Sequence, residues 1–364
     1  MHFLAAVIWI FLLVRLLITL TNLLTRQWLS FGRAKLQSGV SILIPARNEA
    51  QNIANLLQNI IDQDFPFLEV LVYDDLSTDA TASIVRSFHK KDERIRLMRS
   101  KELPPGWLGK NHACHQLALQ AKGQYFLFLD ADVRLEKSLL NNSLAHMQKH
   151  KLDLLSIFPQ QLMKSLGEKI SVPVMNWVLL SLLPLFLTRK SRMPAFAAAN
   201  GQHMLFRGSV YRKYMFHKQC KNKAVEDIAI ARLMKQKKLR THTILSNGQI
   251  KCRMYSSLNE ALQGFSKNVL AFFGNIIPVA IIIMLITTLG AIPVYLALGR
   301  WVLLAYFAVA LLLRLLTAFL SKQNIWQSAM AAPLQQLIFC VMVVLAIIKR
   351  IKRKNTWKGR IINV

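Results

Sequence analysis

The sequence contains no acidic residue before Glu49 and none after Glu260. All 18 Asp and Glu lie between those two positions, against 47 Lys and Arg spread along the chain, for a net charge of +29. Carboxylate chemistry and hard-metal binding are therefore confined to the middle of the chain. Cysteine is scarce as well. Cys114, Cys220, Cys252 and Cys340 show no C-x-x-C and no paired spacing, which argues against a disulfide framework and for a reducing, cytosolic face. Charged residues make up only 18% of the chain while 53% is hydrophobic, too apolar for one ordinary soluble domain. The basic residues border apolar runs, so attraction to anionic lipid explains them more simply than nucleic acid does. A membrane partner and no nucleic-acid partner are expected.

What is present falls into three parts. Residues 3–24 are apolar except for Arg15 and would reach about 33 Å as a helix, enough for a bilayer core of about 30 Å. No basic region precedes them and no small-residue cleavage site follows, so residues 1–25 read as a retained anchor. Arg15 is expected to snorkel or to face other helices. Arg26, Arg33 and Lys35 come next, which places the central domain in the cytoplasm of a multi-pass cell-membrane protein. At the other end, apolar blocks at 270–292, 301–320 and 329–348 form a transmembrane region, 269–348, and a basic tail occupies 349–364. One anchor plus three such spans would put the tail and the central domain on opposite sides, against the positive-inside pattern. A re-entrant block, or a break at Pro278, Gly290 and Pro293, would remove the conflict. Arg314 is expected to snorkel or to meet a lipid phosphate.

Between the apolar ends, residues 40–45, 68–74, 95–99 and 125–132 read as strands. Candidate helices lie at 49–62, 78–90 and 109–121. This alternation predicts an α/β domain over 38–268 with a mainly parallel sheet and its chemistry at the carboxyl ends of the strands. Residues 172–187 are apolar, bounded by Pro173 and Pro184 and followed by Arg189, Lys190 and Arg192. They are too short to span and read as an interfacial helix, with a buried core helix as the alternative.

Four segments carry candidate chemistry. In YFLFLDAD, Asp130 and Asp132 alternate at a strand end and could converge on one hard cation such as Mg2+ or Mn2+. In LEVLVYDDLSTD, Asp74 and Asp75 stand side by side, a like-charge arrangement that contacts to a base and a ribose would employ. One of Ser77, Thr78 and Asp79 is expected to cap the helix that follows. In VSILIPARNE, the strand breaks at Pro45 into Arg47, Asn48 and Glu49: Glu49 either begins a helix or, with Arg47 and Asn48 beside it, stands at the border of a nucleotide site. In VEDIAIARLM, Glu226 and Asp227 open an amphipathic stretch. Either they favour its helix dipole, or a carboxylate there takes a proton from an acceptor hydroxyl or supports attack by a carboxylate acceptor. His112, Cys114 and His115 do not have the spacing to bring three ligands onto one zinc ion, and Trp107 reads as a stacking or core residue.

VSILIPARNEA, VLVYDDLSTDAT, GWLGKNHACHQLALQAKGQYFLFLDADV and VEDIAIARLM, in this order, resemble family 2 glycosyltransferases of the GT-A fold. PPGWLGK, AAANGQHMLFRGSVY, CRMYSS, GFSKN and the tail TWKGR are similar to a membrane-bound branch that glycosylates carotenoids or carotenoid acids, and to hopanoid-associated glycosyltransferases. The resemblance implies a Rossmann-like mixed sheet flanked by N- and C-terminal transmembrane helices. It implies that Pro45, Arg47, Glu49, Asp74 and Asp75 hold the uridine of a UDP-sugar, with Lys110 near the diphosphate or sugar. It gives Asp130 and Asp132 the divalent metal, Mg2+ or Mn2+, and Asp130 a place at the nucleotide sugar as well. Asp227 would be the general base of an inverting displacement, with Glu226 beside it. Asn200, Gly201 and Gln202 would line the donor and acceptor pocket, and Phe265, Ser266 and Lys267 would close the site where the domain meets the membrane. Related sequences often carry Gly-Gly-His where this chain has Met215-Phe216-His217, a bulkier turn that bears on the acceptor. The reading is a UDP-sugar-dependent transferase with a lipid-soluble, isoprenoid-like acceptor. The alternatives are a processive polysaccharide synthase, for which no Gln-x-x-Arg-Trp motif is evident, and a non-catalytic membrane scaffold.

Overall fold

The computed structural model describes all residues except 35–38, 64, 67, 101, 353, 354, 358, 359, 363 and 364. Lys35 and the Lys358–Gly359 part of the tail motif lie outside the described residues. The chain forms two compact units, one of residues 28–160 and 186–253, the other of residues 1–27, 161–185 and 254–364. In this division 161–185 and 254–268 group with the apolar helices.

The first unit is built on a seven-stranded sheet. In chain order the strands are β1 (Val40–Ala46), β2 (Leu68–Asp74), β3 (Ile95–Arg99), β4 (Tyr125–Leu129), β5 (Val133–Leu135), β6 (Leu154–Phe158), β7 (Gln160–Gln161), β8 (His203–Arg207), β9 (Thr241–Leu245) and β10 (Ile250–Cys252), of which β5, β7 and β10 form a separate small sheet. The sheet runs β3-β2-β1-β4-β8-β6-β9, and β5 pairs antiparallel with β10 beside it. Strand β1 is central: Ile42 pairs with Val70 on one side and Leu127 on the other, both in parallel. Ile42, Leu43 and Ile44 are fully buried, as expected of a strand covered on both faces. β8 runs antiparallel to both β4 and β6, whereas β6 and β9 are parallel. The sheet is therefore mixed. Its antiparallel strand enters late because residues 161–185 are diverted into the other unit before the chain returns at β8.

From β1 the chain steps outward to β2 and β3, then crosses to β4 on the opposite side of β1. That reversal opens a crevice at the carboxyl ends of β1 and β4, the place where open α/β sheets bind ligands. Helices Ile53–Ile61, Thr81–Lys91 and Gly109–Gln120 match the expected ones, with ends shifted by a few residues and Lys91 one residue past the expected end. Ala80, not a side-chain cap, precedes the second of these, although Asp79 Oδ1 accepts the Thr81 N–H at 3.0 Å.

The second unit is helical. His2–Leu24, Ile277–Leu320 and Ala332–Ile351 are long and apolar enough to cross a membrane. The middle stretch breaks at Gly299, whose φ of 76° and ψ of −179° only glycine adopts without strain. A Cβ on Gly290 would lie 3.2 Å from Tyr306 Oη, so the chain doubles back at that break. Arg15 does not snorkel. It is buried, donates to Ser181 Oγ at 2.6 Å, and its guanidinium lies 4.2 Å from the centre of the Trp177 ring. Trp177 lies on helix Leu166–Leu182, which opens with a Ser165/Glu168 capping box and packs its Val174, Trp177 and Val178 into the core of this unit. The helix thus starts and ends earlier than the expected 172–187, with Pro184 beyond its end.

Candidate active site

The crevice gathers acids from four elements of the sheet unit. Arg47, just past β1, donates from Nη1 to the Asp75 carbonyl oxygen at 2.8 Å and stands 3.8 Å from its carboxylate. Asp74 Oδ1 accepts the Ser77 N–H at 3.1 Å. Asn48 takes a left-handed conformation (φ 53°), donates its N–H to Ser77 Oγ and accepts the Thr78 N–H at 2.8 Å. Glu49 donates its N–H to Thr81 Oγ1 at 2.8 Å. These bonds tie the loops after β1 and β2 into one wall. Pro45 lies within β1 opposite Tyr73.

Strand β4 stops at Leu129, so Asp130 and Asp132 lie in the turn beyond it rather than alternating along a strand. Lys110, from the first turn of helix Gly109–Gln120, bridges Asp130 at 2.8 Å and Glu226 at 3.0 Å. Burial works against its charge, but Asp130 and Glu226 outweigh that and hold the ammonium well above the ordinary lysine value. Asp132 Oδ2 accepts from Cys252 Sγ at 3.3 Å and Gln202 Nε2 at 3.4 Å. Burial, then the charge of Asp130, pushes its carboxyl up to about 7. Its Oδ1 is buried with no hydrogen-bond donor.

Asp227 lies in the first turn of helix Glu226–Gln236. Its Oδ2 accepts the Gly201 N–H at 3.0 Å and its Oδ1 the Ile228 N–H at 2.7 Å. Burial and Glu226 push its carboxyl up to about 7. Gly201 has no room for a side chain: a Cβ would meet Lys110 Nζ at 2.9 Å and Glu226 Oε1 at 3.3 Å. Asn200 and Gln202 flank it, with Asn200 Oδ1 accepting the Gln202 N–H at 2.8 Å.

The structure thus brings together Lys110, Asp130, Asp132, Gly201, Gln202, Glu226 and Asp227. Phe265, Ser266 and Lys267 belong to helix Leu258–Phe272 of the helical unit, where Phe265 is buried and Lys349 Nζ donates to Ser266 Oγ. Sequence reasoning missed Cys252 as a partner of Asp132. It lies in the quoted CRMYSS segment, but an isolated cysteine offers no spacing signal. Its thiol is raised well above its ordinary value by burial and by Asp132. Trp107 stacks on His115 with ring centres 5.2 Å apart, and Cys114 is buried. Among the described residues no three His, Cys, Asp or Glu are placed to hold a metal by themselves. Asp130 and Asp132 offer two ligands, and a donorless buried carboxylate oxygen among several acids and one ammonium suits a divalent cation whose other ligands come from substrate.

The Met215-Phe216-His217 departure is a core feature. Met215 takes the left-handed conformation a glycine would favour (φ 47°), and Phe216 is fully buried, stacked 5.7 Å from Phe206.

Residues 41–215 match the family model Glycosyl transferase family 2. The chain carries a family 2 glycosyltransferase domain. It is 32% identical over 110 residues to TuaG of Bacillus subtilis (strain 168), a glycosyltransferase assigned to teichuronic acid biosynthesis, covering 30% of this chain and 42% of TuaG. It is 35% identical over 134 residues to the 4,4'-diaponeurosporenoate glycosyltransferase of Staphylococcus aureus (strain USA300), covering 36% of this chain and 34% of that one. The chain thus spans less than half the length of either relative. The mannosyltransferase PcManGT of Pyrobaculum calidifontis, solved with GDP-Man and Mn2+, superposes with a TM-score of 0.57 at 18% identity, covering 96% of this chain and 99% of that one. The fold is the GT-A-like mixed α/β sheet, with helices at both ends of the chain long and apolar enough to span a membrane.

Proposed function

We propose that the protein is an inverting glycosyltransferase that moves a sugar from a UDP-sugar to a membrane-dissolved acceptor, a carotenoid or similar isoprenoid. The observation that carries this reading is the buried Asp227, held by the Gly201 and Ile228 N–H groups beside the Lys110–Asp130–Glu226 cluster. A carboxylate with its pKa raised toward neutrality is suited to take a proton near pH 7. The acceptor hydroxyl oxygen attacks the anomeric carbon from the face opposite the leaving group. The bond from that carbon to the diphosphate oxygen breaks, and its electron pair leaves on the diphosphate. The hydroxyl proton passes to an Asp227 oxygen. Lys110 faces the developing negative charge, while Arg47, Glu49, Asp74 and Asp75, with Pro45 behind them, line the place for the nucleoside. Asp130 and Asp132 would hold Mg2+ or Mn2+, which supplies Lewis-acid neutralisation of the diphosphate. A Mn2+-bound protein shares the fold, and the S. aureus relative is named for acting on 4,4'-diaponeurosporenoate. Asn200, Gly201 and Gln202 line the sugar pocket.

The sheet unit is read as cytoplasmic from the basic residues Arg26 and Arg33 that follow the N-terminal apolar helix. The test is nucleotide release from nanodisc-held protein, using UDP- and GDP-sugars with Mn2+ or EDTA, with and without lipid extract. Metal-dependent UDP release raised by lipid supports the reading. No release from any donor, with Asp227→Asn indistinguishable from wild type, would return it to the scaffold alternative.

A further inference from the structure

The helical unit holds a second cation, Arg314, in the middle of an apolar helix. It is buried, its guanidinium lies 3.7 Å from the centre of the Trp177 ring, and Arg15 stacks on the same indole. Among the described residues no carboxylate stands within ion-pair distance of either arginine. Glu168, within this unit, serves the capping box of Ser165, and the Glu260 carboxylate accepts from the Ser256 N–H and hydroxyl. Arg314 instead donates to the amide oxygens of Gln335 at 3.3 Å and Gln336 at 3.0 Å. Two buried guanidiniums without a counter-charge are unfavourable in an apolar setting, so an anion has a strong reason to settle beside them.

Arg314 opens onto a half-open cleft that it lines with Asn176, Thr317, Gln323, Ser328 and Gln335. Gln323 is nine-tenths buried, and its Nε2 has no acceptor. Its water-accessible interior is only about 10 Å³ and opens at the mouth, room for a single headgroup oxygen and not for a chain. A guanidinium, a spare amide donor and hydroxyls around a small space suit a phosphate or carboxylate. We propose that this cleft binds the anionic headgroup of a membrane amphiphile, with Arg314 as its charge partner and Gln323 as a donor. The site belongs to the helical unit and stands whether or not the sugar transfer is as read above.

The experiment is native mass spectrometry of the full-length protein in a neutral detergent with phosphatidylglycerol, oleic acid or phosphatidylcholine. A further arm adds inorganic phosphate as competitor. Wild type should retain one of the anionic amphiphiles about tenfold over phosphatidylcholine, the discrimination expected of one charge-assisted contact. Arg314→Gln should abolish that preference. Gln323→Leu, which leaves every cation in place, should cut it severalfold and guards against a misfolded arginine variant. Arg300→Gln, at an exposed position outside the cleft, should leave it unchanged. Preference for phosphatidylglycerol assigns a phosphate headgroup, preference for oleic acid a carboxylate, and displacement by inorganic phosphate a site that reads the headgroup alone. Equal retention of phosphatidylcholine overturns the proposal. So does a loss in Arg300→Gln as large as in Arg314→Gln, which would mean annular lipid.

Discussion

Gly201 donates its N–H to Asp227 Oδ2 across 3.0 Å, and a Cβ in place of its hydrogen would crowd Lys110 Nζ at 2.9 Å. The glycine lets a backbone dipole approach the carboxylate from the side that Lys110 and Glu226 also occupy. Asp227 is thereby oriented by main chain, which cannot rotate away, while its basicity is set by burial and by Glu226.

Asp227→Asn should lower the turnover number by about 10²–10⁴-fold, the range for losing a general base. Nucleotide affinity should stay nearly the same, because the base acts only on the acceptor proton. The variant should also be more stable. A carboxyl whose folded pKa is raised from 3.8 to about 7 holds its proton more tightly folded than unfolded. Its ionisation therefore costs the fold stability as pH rises through that window, and Asn removes the cost. A gain of about 1–2 kcal/mol in chemical denaturation at pH 8 is expected, as is common when a strained functional group is removed. Normal turnover in this variant would assign the base elsewhere.

The same raised pKa sets the pH profile. Asp227 must be ionised to accept a proton, so the turnover rate should fall about tenfold per unit as pH drops below about 7. A profile flat from pH 5 to 8 at saturating substrate would show that the base titrates at an ordinary carboxylate value.

Gly201→Ala should displace Lys110, since its Cβ would stand 2.9 Å from Nζ, the flexible end of a long chain. Folding should change little, because Nζ can move. Turnover should fall about a hundredfold, as misplacement near the reacting centre does. Circular dichroism and a turnover assay on one preparation separate the two effects.

Much of this site could be read beforehand because its residues follow strand ends. Asp74, Asp75 and Asp130 terminate apolar runs that can only be buried strands, and Arg47 follows such a run. Lys110 and Glu226 are more than a hundred residues apart, and only the closed fold shows them 3.0 Å apart. The diversion of 161–185 into the helical unit was hidden for a similar reason: a buried helix and an interfacial one share the same apolar run. Cys252 left no trace, because a single thiol carries no period.

Cys252→Ala should weaken metal-dependent nucleotide binding, since the thiol donates to Asp132 Oδ2 at 3.3 Å and steadies a carboxylate assigned to the cation. Outer partners of metal ligands are worth about tenfold or more in metal affinity. Cys252→Ser keeps a donor and should recover most of the loss in a Mn2+ titration of nucleotide binding. If Ser and Ala behave alike, the thiol only fills space.

The two ends of the C-terminal apolar region should face the same side of the membrane. Arg350 Nη1 donates to the Asn275 carbonyl at 2.8 Å, and Gln336 Nε2 donates to Thr288 Oγ1 at 2.8 Å. Helix Ala332–Ile351 therefore runs antiparallel to Ile277–Leu289, and the chain makes an even number of complete crossings between Asn275 and Arg350. A fold back at Gly299 would remove the odd span expected from three separate apolar blocks. Cysteines introduced as Asn259→Cys and Lys352→Cys, both at exposed positions, should react with a membrane-impermeant maleimide from the same side of oriented vesicles. Labelling of one from inside and the other from outside would restore a third crossing and overturn the paired arrangement of the two ends.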